Sequence, residues 1–142
     1  MERLKEILYV SQSTIPQDTA EDVLRNLVHA AKIKNEALGI SGSLIFSGYR
    51  FAQCLQGHES AVDSLMQQLA ADTRHTHVCV VVDRPIDRCS YTTWGLNYSG
   101  PSKYVDRHMK AVMQSANGPR DDRAIERLSR LMLELAAAQE PE

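Results

Sequence analysis

The stretch Gly39–Gly57, GISGSLIFSGYRFAQCLQG, contains two short apolar runs separated by Ser47-Gly48-Tyr49. Two apolar runs around a tight turn that contains glycine are typical of a β-hairpin. Near the end of the second run, Gln53 places an amide in a row that should be apolar. A buried amide without partners costs roughly 1–3 kcal/mol. We therefore expect a hydrogen-bonding partner beside Gln53.

Composition restricts the class of function. The chain has 142 residues, of which 43% are hydrophobic and 24% charged, as in an ordinary single-domain globular protein. A formal net charge of -2 predicts no general attraction to nucleic acid or to an anionic membrane. The three cysteines are scattered, so we expect neither a disulfide framework nor a metal site. No apolar run approaches the roughly 20 residues of a membrane span, and the N-terminus does not resemble a signal peptide, so we expect a cytoplasmic location and no membrane partner.

The pattern on either side of the hairpin predicts an α+β fold. Its order, β-α-β-β-α-β-β, is the split-βαβ or ferredoxin-like arrangement with one additional strand and two helices on one face of the sheet. Besides the hairpin, the segments are a strand at Ile7–Ser11, a helix through Leu24, Leu27, Val28 and Ala31 that ends at Gly39, a helix through Ala61, Val62, Leu65, Met66 and Leu69, a central strand at Val78–Val82, a turn at Asp83–Arg88 and a last strand at Tyr91–Tyr98.

The character of the sequence changes after Gly100-Pro101. Two helices are predicted, at Ser102–Ser115 and Asp122–Ala138, separated by the break Asn117-Gly118-Pro119. We expect a sheet domain over residues 1–100 and a helical extension over residues 101–142. The second of these helices carries an apolar stripe that should cover the other face of the sheet or form a dimer contact. The stripe consists of Ile125, Leu128, Leu131, Met132 and Leu135.

Four polar residues interrupt apolar faces. Asn35 continues the stripe of the first helix and Asp72 that of the second. If the helices cover one side of the sheet, strand alternation allows Tyr9 and Gln53 to lie side by side on that covered face. Each has an ordinary structural explanation when it is taken alone. Asn35 can bond nearby backbone, Asp72 can cap a loop, and Tyr9 with Gln53 can form a core pair.

Taken together, these segments resemble the BLUF family of flavin-binding blue-light sensors. The resemblance extends to about residue 100. It rests on the strand LYVS with Tyr9 and Ser11, on Lys34-Asn35 followed by GISG, on FAQCLQG with Gln53, on DTRH at Asp72–His75, and on Trp94. It implies a short photoreceptor that binds FAD, or else FMN or riboflavin, and that has no enzyme activity of its own. It also implies action through a homo-oligomer or through a downstream protein partner that the sequence does not identify.

The resemblance also implies a role for each site residue. Tyr9 would be the electron and proton donor, Gln53 would bridge Tyr9 and the flavin N5/O4 edge, and Asn35 would bond the O4/N3 edge. Leu27 and Leu69 would form apolar walls around the ring. The other implied site residues are Gln68 facing the flavin, Asp72 near the far end of the ring, Arg74 and His75 completing the Asp-x-Arg-His motif, and Trp94 and Leu96 in signal transmission.

Three positions depart from the family pattern. Gln56 stands where glutamate is usual, and Gln68 stands where a basic residue is common, which weakens the case for a tightly held phosphorylated flavin tail. Leu96 stands where methionine is common, which casts doubt on transmission by a Trp/Met exchange. The alternative hypothesis is a flavin-free ferredoxin-like interaction module. An enzyme of acylphosphatase type is disfavoured because the loop Ser13–Pro16 has no basic phosphate cradle.

Overall fold

The computed structural model describes residues 2–116 and 118–139. In chain order the elements are β1 (Leu4–Ser13), α1 (Ala20–Ala37), β2 (Ser41–Phe46), β3 (Arg50–His58), α2 (Glu59–Ala70), β4 (His75–Ile86), β5 (Trp94–Ser99), α3 (Lys103–Ala116) and α4 (Asp122–Gln139). This order confirms the predicted α+β, ferredoxin-like arrangement with an additional strand. None of the helices in the described ranges is long and apolar enough to cross a bilayer.

The sheet has five strands in the order β4-β1-β3-β2-β5. β3 lies between β1 and β2 and pairs antiparallel with both, which is the split arrangement predicted from the sequence. β4 pairs antiparallel with β1, and β5 pairs parallel with β2. The register of the two central strands places Tyr9 directly opposite Gln53.

Two of the predictions about the fourth strand are wrong. Val78–Val82 is not a central strand, because β4 lies at the edge of the sheet and Val80 is 47% exposed. The predicted turn at Asp83–Arg88 is mostly strand, since β4 continues to Ile86 and includes Pro85. An edge strand tolerates proline because one side of its backbone needs no partner. The last strand begins at Trp94 rather than at Tyr91.

Each face of the sheet is covered by its own pair of helices. α1 and α2 pack on the first face, whose core includes Ile7, Leu44, Phe51 and Leu55. α3 and α4 pack on the second face, whose core includes Leu8, Val10, Ile45, Ala52 and Cys54. The face assignment from strand alternation is therefore confirmed for β1 and β3.

The C-terminal helices bury their apolar stripes against the second face. The prediction that α4 covers the face opposite the first two helices is confirmed, with Ile125, Leu128 and Met132 buried. Leu131 and Leu135 are only half-buried. The break between the two helices occurs where predicted, although Asn117 lies outside the described residues.

Candidate functional site

A cavity of about 370 Å³ opens between α1, α2 and the first face of the sheet. Its volume lies in the range of cofactor pockets. Most of its walls are apolar, and a few polar side chains converge on it. Its lining comprises Tyr9 from β1; Asn26, Leu27, Ala30, Ala31, Lys34 and Asn35 from α1; Leu44, Phe51, Gln53 and Trp94 from the sheet; Leu65, Gln68 and Leu69 from α2; and Asp72, Arg74 and His75.

A chain of hydrogen bonds crosses the floor of the cavity. Trp94 Nε1 donates to Gln53 Oε1 at 2.9 Å, and Gln53 Nε2 donates to the Tyr9 hydroxyl oxygen at 2.6 Å. The indole N–H can only donate, so the amide oxygen of Gln53 must face Trp94 and its nitrogen must face Tyr9. All three side chains are buried. Gln53 therefore has the hydrogen-bond partners that we expected from the sequence, Trp94 on one side and Tyr9 on the other.

Burial governs the protonation of Tyr9. Its side chain is 2% exposed, and desolvation raises the pKa of its hydroxyl far above the ordinary value, although the hydrogen bond from Gln53 acts in the opposite direction. The hydroxyl therefore keeps its proton throughout the physiological pH range. The ring of His75 packs edge-on against the Tyr9 ring at a centroid distance of 5.8 Å.

Asn35 lines the cavity, and its side-chain oxygen is a buried acceptor that lacks a donor. The residue is 2% exposed, and its Oδ1 atom has no hydrogen-bond partner among the described residues. Its backbone carbonyl is already used, because it accepts from the N–H of Ile40 where α1 ends. A buried acceptor without a donor costs roughly 1–3 kcal/mol, so this position favours a ligand that carries an N–H or O–H group.

Asp72 and Arg74 form a closed ion pair at the cavity. Arg74 Nε donates to both carboxylate oxygens, at 2.9 and 3.1 Å, and a second guanidinium nitrogen lies 2.5 Å from Oδ2. The backbone N–H of Arg74 also donates to Asp72 Oδ1. These bonds lower the pKa of the Asp72 carboxyl and raise the pKa of Arg74. The pair is thus ionised and carries no net charge.

His75 ties three elements together beneath the cavity. Its Nε2 lies 2.5 Å from the carbonyl oxygen of Leu69, and its Nδ1 lies 2.7 Å from the Ser11 hydroxyl. A carbonyl only accepts, so Nε2 must carry a proton, whereas the hydroxyl can serve Nδ1 as donor or acceptor. His75 therefore fixes the start of β4 to the end of α2 and to β1.

Lys34 and Gln68 face each other across the opening, where Lys34 Nζ donates to Gln68 Oε1. Both side chains are exposed. Beside them, the half-buried Leu27 and Leu69 line the cavity from α1 and α2. The basic group at this point is thus carried by α1, whereas α2 contributes a neutral amide.

With one exception, the residues predicted for the site line this cavity. The exception is Leu96, which packs in the first-face core. Sequence reasoning did not assign seven lining residues to the site, namely Asn26, Ala30, Ala31, Lys34, Leu44, Phe51 and Leu65. Asn26 and Ala30 precede Lys34 by eight and four residues on α1, and Leu44 lies opposite Gln53 in the register of β2 and β3. Helical and cross-strand spacing could have found all three.

A comparison with known families now decides the class of protein. The family model described as BLUF, sensors of blue light using FAD, matches residues 4–97. The chain belongs to the BLUF family. Among curated proteins, the BLUF chain is 30% identical over 97 residues to photoactivated adenylate cyclase subunit alpha of Euglena gracilis, and 28% identical over 109 residues to subunit beta. These matches cover 68% and 77% of the chain, but only 10% and 12% of the two relatives.

Solved structures show the same fold. The dark-state structure of BlrB, a BLUF protein, has a TM-score of 0.70 with 22% identity and covers 99% of both chains. BlsA in its photo-activated state has a TM-score of 0.73 with 21% identity, over 92% of this chain and 94% of that one. BlrP1 of Klebsiella pneumoniae, solved with FMN and cyclic diGMP, has a TM-score of 0.60 with 33% identity, over 68% of this chain and 25% of BlrP1.

The cavity fits the flavin that the family uses. An oxidised flavin ring is planar, has one imide N–H donor, and displays carbonyl and ring-nitrogen acceptors. Asn35 Oδ1 is a buried acceptor that lacks a donor, and the Tyr9 hydroxyl and the Gln53 amide lie on the floor as hydrogen-bonding groups. Leu27, Leu69 and the sheet side chains supply apolar surface for the ring.

Proposed function

We propose that this chain is a blue-light sensor in which Tyr9 and Gln53 carry the photochemical step on a bound flavin, FAD or else FMN or riboflavin. The observation that carries the proposal is the hydrogen-bonded row Tyr9–Gln53–Trp94 at the floor of a cavity that is also lined by Asn35, whose side-chain oxygen is unpaired. The flavin supplies the absorption of blue light and a strongly oxidising excited state. The protein residues supply the electron, the proton and the rearrangement that follows.

Tyr9 is suited to donate both an electron and a proton. Burial keeps its hydroxyl neutral in the dark, so the electron leaves a protonated phenol. Loss of that electron would make the hydroxyl strongly acidic, so Tyr9 would release its proton as well. A flavin held beside Tyr9 and Gln53 would supply the acceptor for both and would give both back when the cycle closes, so Tyr9 would be regenerated without net oxidation.

Gln53 is suited to convert this step into a structural change. An amide presents a donor on one side and an acceptor on the other, so rotation or tautomerisation exchanges the two without any change in charge. Glutamate could not do this. Rotation would turn Gln53 Nε2 toward Trp94 Nε1, and two donors cannot bond each other. Rotation of Gln53 therefore requires that Trp94 lose its hydrogen bond or move.

We assign the output to binding rather than to catalysis. Residues 1–100 would hold the flavin, and residues 101–142 would pass the change to a second copy of the chain or to a downstream protein in the cytoplasm. Trp94 contacts Gln53 directly, whereas Leu96 would contribute only through packing beside it. The adenylate cyclase activity named for the relatives belongs to proteins of which the matched region is 10%.

The decisive experiment is light-minus-dark absorption spectroscopy on the full chain purified in darkness. We expect a yellow protein whose flavin bands shift to the red under blue light and return in the dark. Chromatography of the extracted cofactor identifies the flavin. Gln53→Leu should retain flavin but lose the shift, whereas Gln67→Leu, on the exposed side of α2, should behave like the native chain. A native protein that takes up no flavin would instead support the flavin-free interaction module.

A further inference from the structure

The charged side chains of the cavity all lie at its opening. The floor uses the neutral groups of Tyr9, Gln53, Asn35 and Trp94. Lys34, Asp72 and Arg74 bring formal charge, and their side chains are less buried than the floor. Asp72 and Arg74 neutralise each other through several hydrogen bonds. Of these three residues, Lys34 is the one whose charge is not neutralised by an ion pair.

The surroundings of Lys34 leave its charge available to a ligand. Its hydrogen-bond partner across the opening, Gln68, is neutral. The nearby carboxylate of Glu36, on the same helix, is paired with Lys32 at 2.8 Å. Among the described residues, no ion pair joins Lys34 to an acidic side chain. An unpaired cation at this opening contrasts with the net charge of -2 of the whole chain.

We infer that Lys34 is a specificity-determining residue that binds the phosphate group of a flavin nucleotide as its tail leaves the cavity. The inference rests on the proposed function, because it requires the flavin ring to occupy the cavity. The isoalloxazine ring and the ribityl chain are uncharged and form no ion pair with the Lys34 ammonium, whereas a phosphate forms charge-assisted hydrogen bonds with it. Lys34 would thus supply from α1 the positive charge that Gln68 does not supply from α2.

The inference predicts selectivity between flavins rather than a general loss of binding. Riboflavin has no phosphate, FMN ends in one, and FAD carries a pyrophosphate. Lys34→Gln should weaken the binding of FMN and of FAD by about fivefold, which is the upper end for one exposed ion pair. The affinity for riboflavin should stay within about twofold of the native value. The affinity of the native chain for FMN should fall with added salt, and this salt dependence should shrink in Lys34→Gln.

The test is titration of the flavin-free full chain with riboflavin, FMN and FAD, followed by the quenching of flavin fluorescence. Lys110→Gln, the same substitution on α3 and away from the cavity, is the matched control and should change none of the three affinities. Gln68→Lys places a second cation at the opening and should raise the preference for FMN over riboflavin, which keeps the inference testable even where Lys34→Gln folds poorly.

The outcomes separate this inference from the proposed function. Equal weakening of riboflavin and FMN in a folded Lys34→Gln, or an unchanged preference in both variants, would overturn the role of Lys34. The proposed function would still stand if the native chain bound flavin and shifted to the red in light. A native chain that bound none of the three flavins would overturn the proposed function itself.

Discussion

Replacing Tyr9 by phenylalanine removes one oxygen atom from the floor of the cavity and leaves the ring in place. The lost hydroxyl is the acceptor of the 2.6 Å hydrogen bond from Gln53 Nε2, which would become a buried donor without a partner. This change costs roughly 1–3 kcal/mol of unfolding free energy. At roughly 3 °C per kcal/mol for a chain of this size, the midpoint of thermal unfolding should fall by about 3–9 °C. Flavin should remain bound, because the phenyl ring still packs.

The photochemical effect of Tyr9→Phe should be much larger than its effect on stability. Phenylalanine offers neither an easily removed electron nor a proton, so the red shift under blue light should disappear. Tyr91→Phe is the matched control, since Tyr91 is also a buried tyrosine, 7% exposed, but belongs to the core of the second face. Its red shift should be intact. A normal light-induced shift in Tyr9→Phe would refute the assignment of Tyr9 as donor, and loss of the shift in both variants would point to general disruption.

Three further substitutions test the site and its support. Asn35→Ala should weaken flavin binding by about tenfold to a hundredfold, because it removes the buried acceptor; unchanged retention on equilibrium dialysis would contradict this. Gln56→Glu puts a carboxylate beside Glu6, whose Oε1 now accepts from Gln56 at 2.8 Å. Repulsion between the two carboxylates raises the folded-state pKa of the introduced carboxyl, against the opposite effect of the backbone N–H donors of Ser90 and Tyr91, and we expect the repulsion to dominate. Urea denaturation should then show a loss of stability above about pH 5 that diminishes near pH 4, and an equal loss at both pH values would oppose the argument. Leu128→Ala should cost about 2–5 kcal/mol, whereas the half-exposed Leu133→Ala should cost much less; similar urea midpoints would mean that α4 does not stabilise the sheet.

The sequence predicted the floor of the cavity well because strand alternation is a strict rule. A residue on a regular strand faces one side or the other, and β1 and β3 pair without interruption from Leu4 to Gln12. Alternation therefore grouped Tyr9 with Ile7 and Gln53 with Phe51 and Leu55, and the observed register places both groups on the first face. Helical spacing similarly placed Asn35 on the inner side of α1.

The sequence did not predict the position of β4 correctly, because the composition of a strand does not reveal whether it has one neighbouring strand or two. Val78–Val82 is apolar and β-branched, which suits any pleated surface, whether central or at an edge. The pairing of β4 with β1 shifts register twice, between Leu8 and Tyr9 and between Val10 and Gln12. Such irregularities break the alternation along β4, and Val80, which pairs with Tyr9, is 47% exposed on this edge strand. They depend on the partner strand and cannot be read from the apolar run alone.

The role of Gln56 also depends on a distant segment. The sequence marked this residue only as a departure from the family pattern. In the structure its side chain is 1% exposed, and its Oε1 accepts from the backbone N–H groups of Ser90 and Tyr91 at 2.6 and 3.2 Å. Gln56 thereby holds the loop before β5 against β3. A loop that folds back over a strand leaves no periodic signal, so local pattern could not predict this contact.

β5 contributes side chains to the hydrophobic cores on both faces of the sheet. Trp94 and Leu96 belong to the first-face core, and strict alternation would put Tyr98 there as well. The pairing with β2 shifts register between Leu96 and Tyr98, however, so Asn97 is an extra residue and Tyr98 turns to the second-face core beneath α3 and α4. Within five residues, one strand thus contacts the Gln53 amide on one side and the helical cover on the other.

We propose that β5, which lies at the edge of the sheet and contacts Gln53 through Trp94, is the strand that responds to Gln53. It is hydrogen-bonded to β2 alone, so its displacement disturbs one ladder, whereas moving β1 or β3 would disturb two. Its start is nevertheless held, because Gln56 fixes Tyr91 and Lys32 Nζ donates to the Trp94 carbonyl oxygen at 3.2 Å. A strand that is anchored before Trp94 and free along one edge can pivot about that anchor. Loss of the Trp94–Gln53 hydrogen bond would then displace Tyr98, and this displacement would change its packing against the helices that cover the second face.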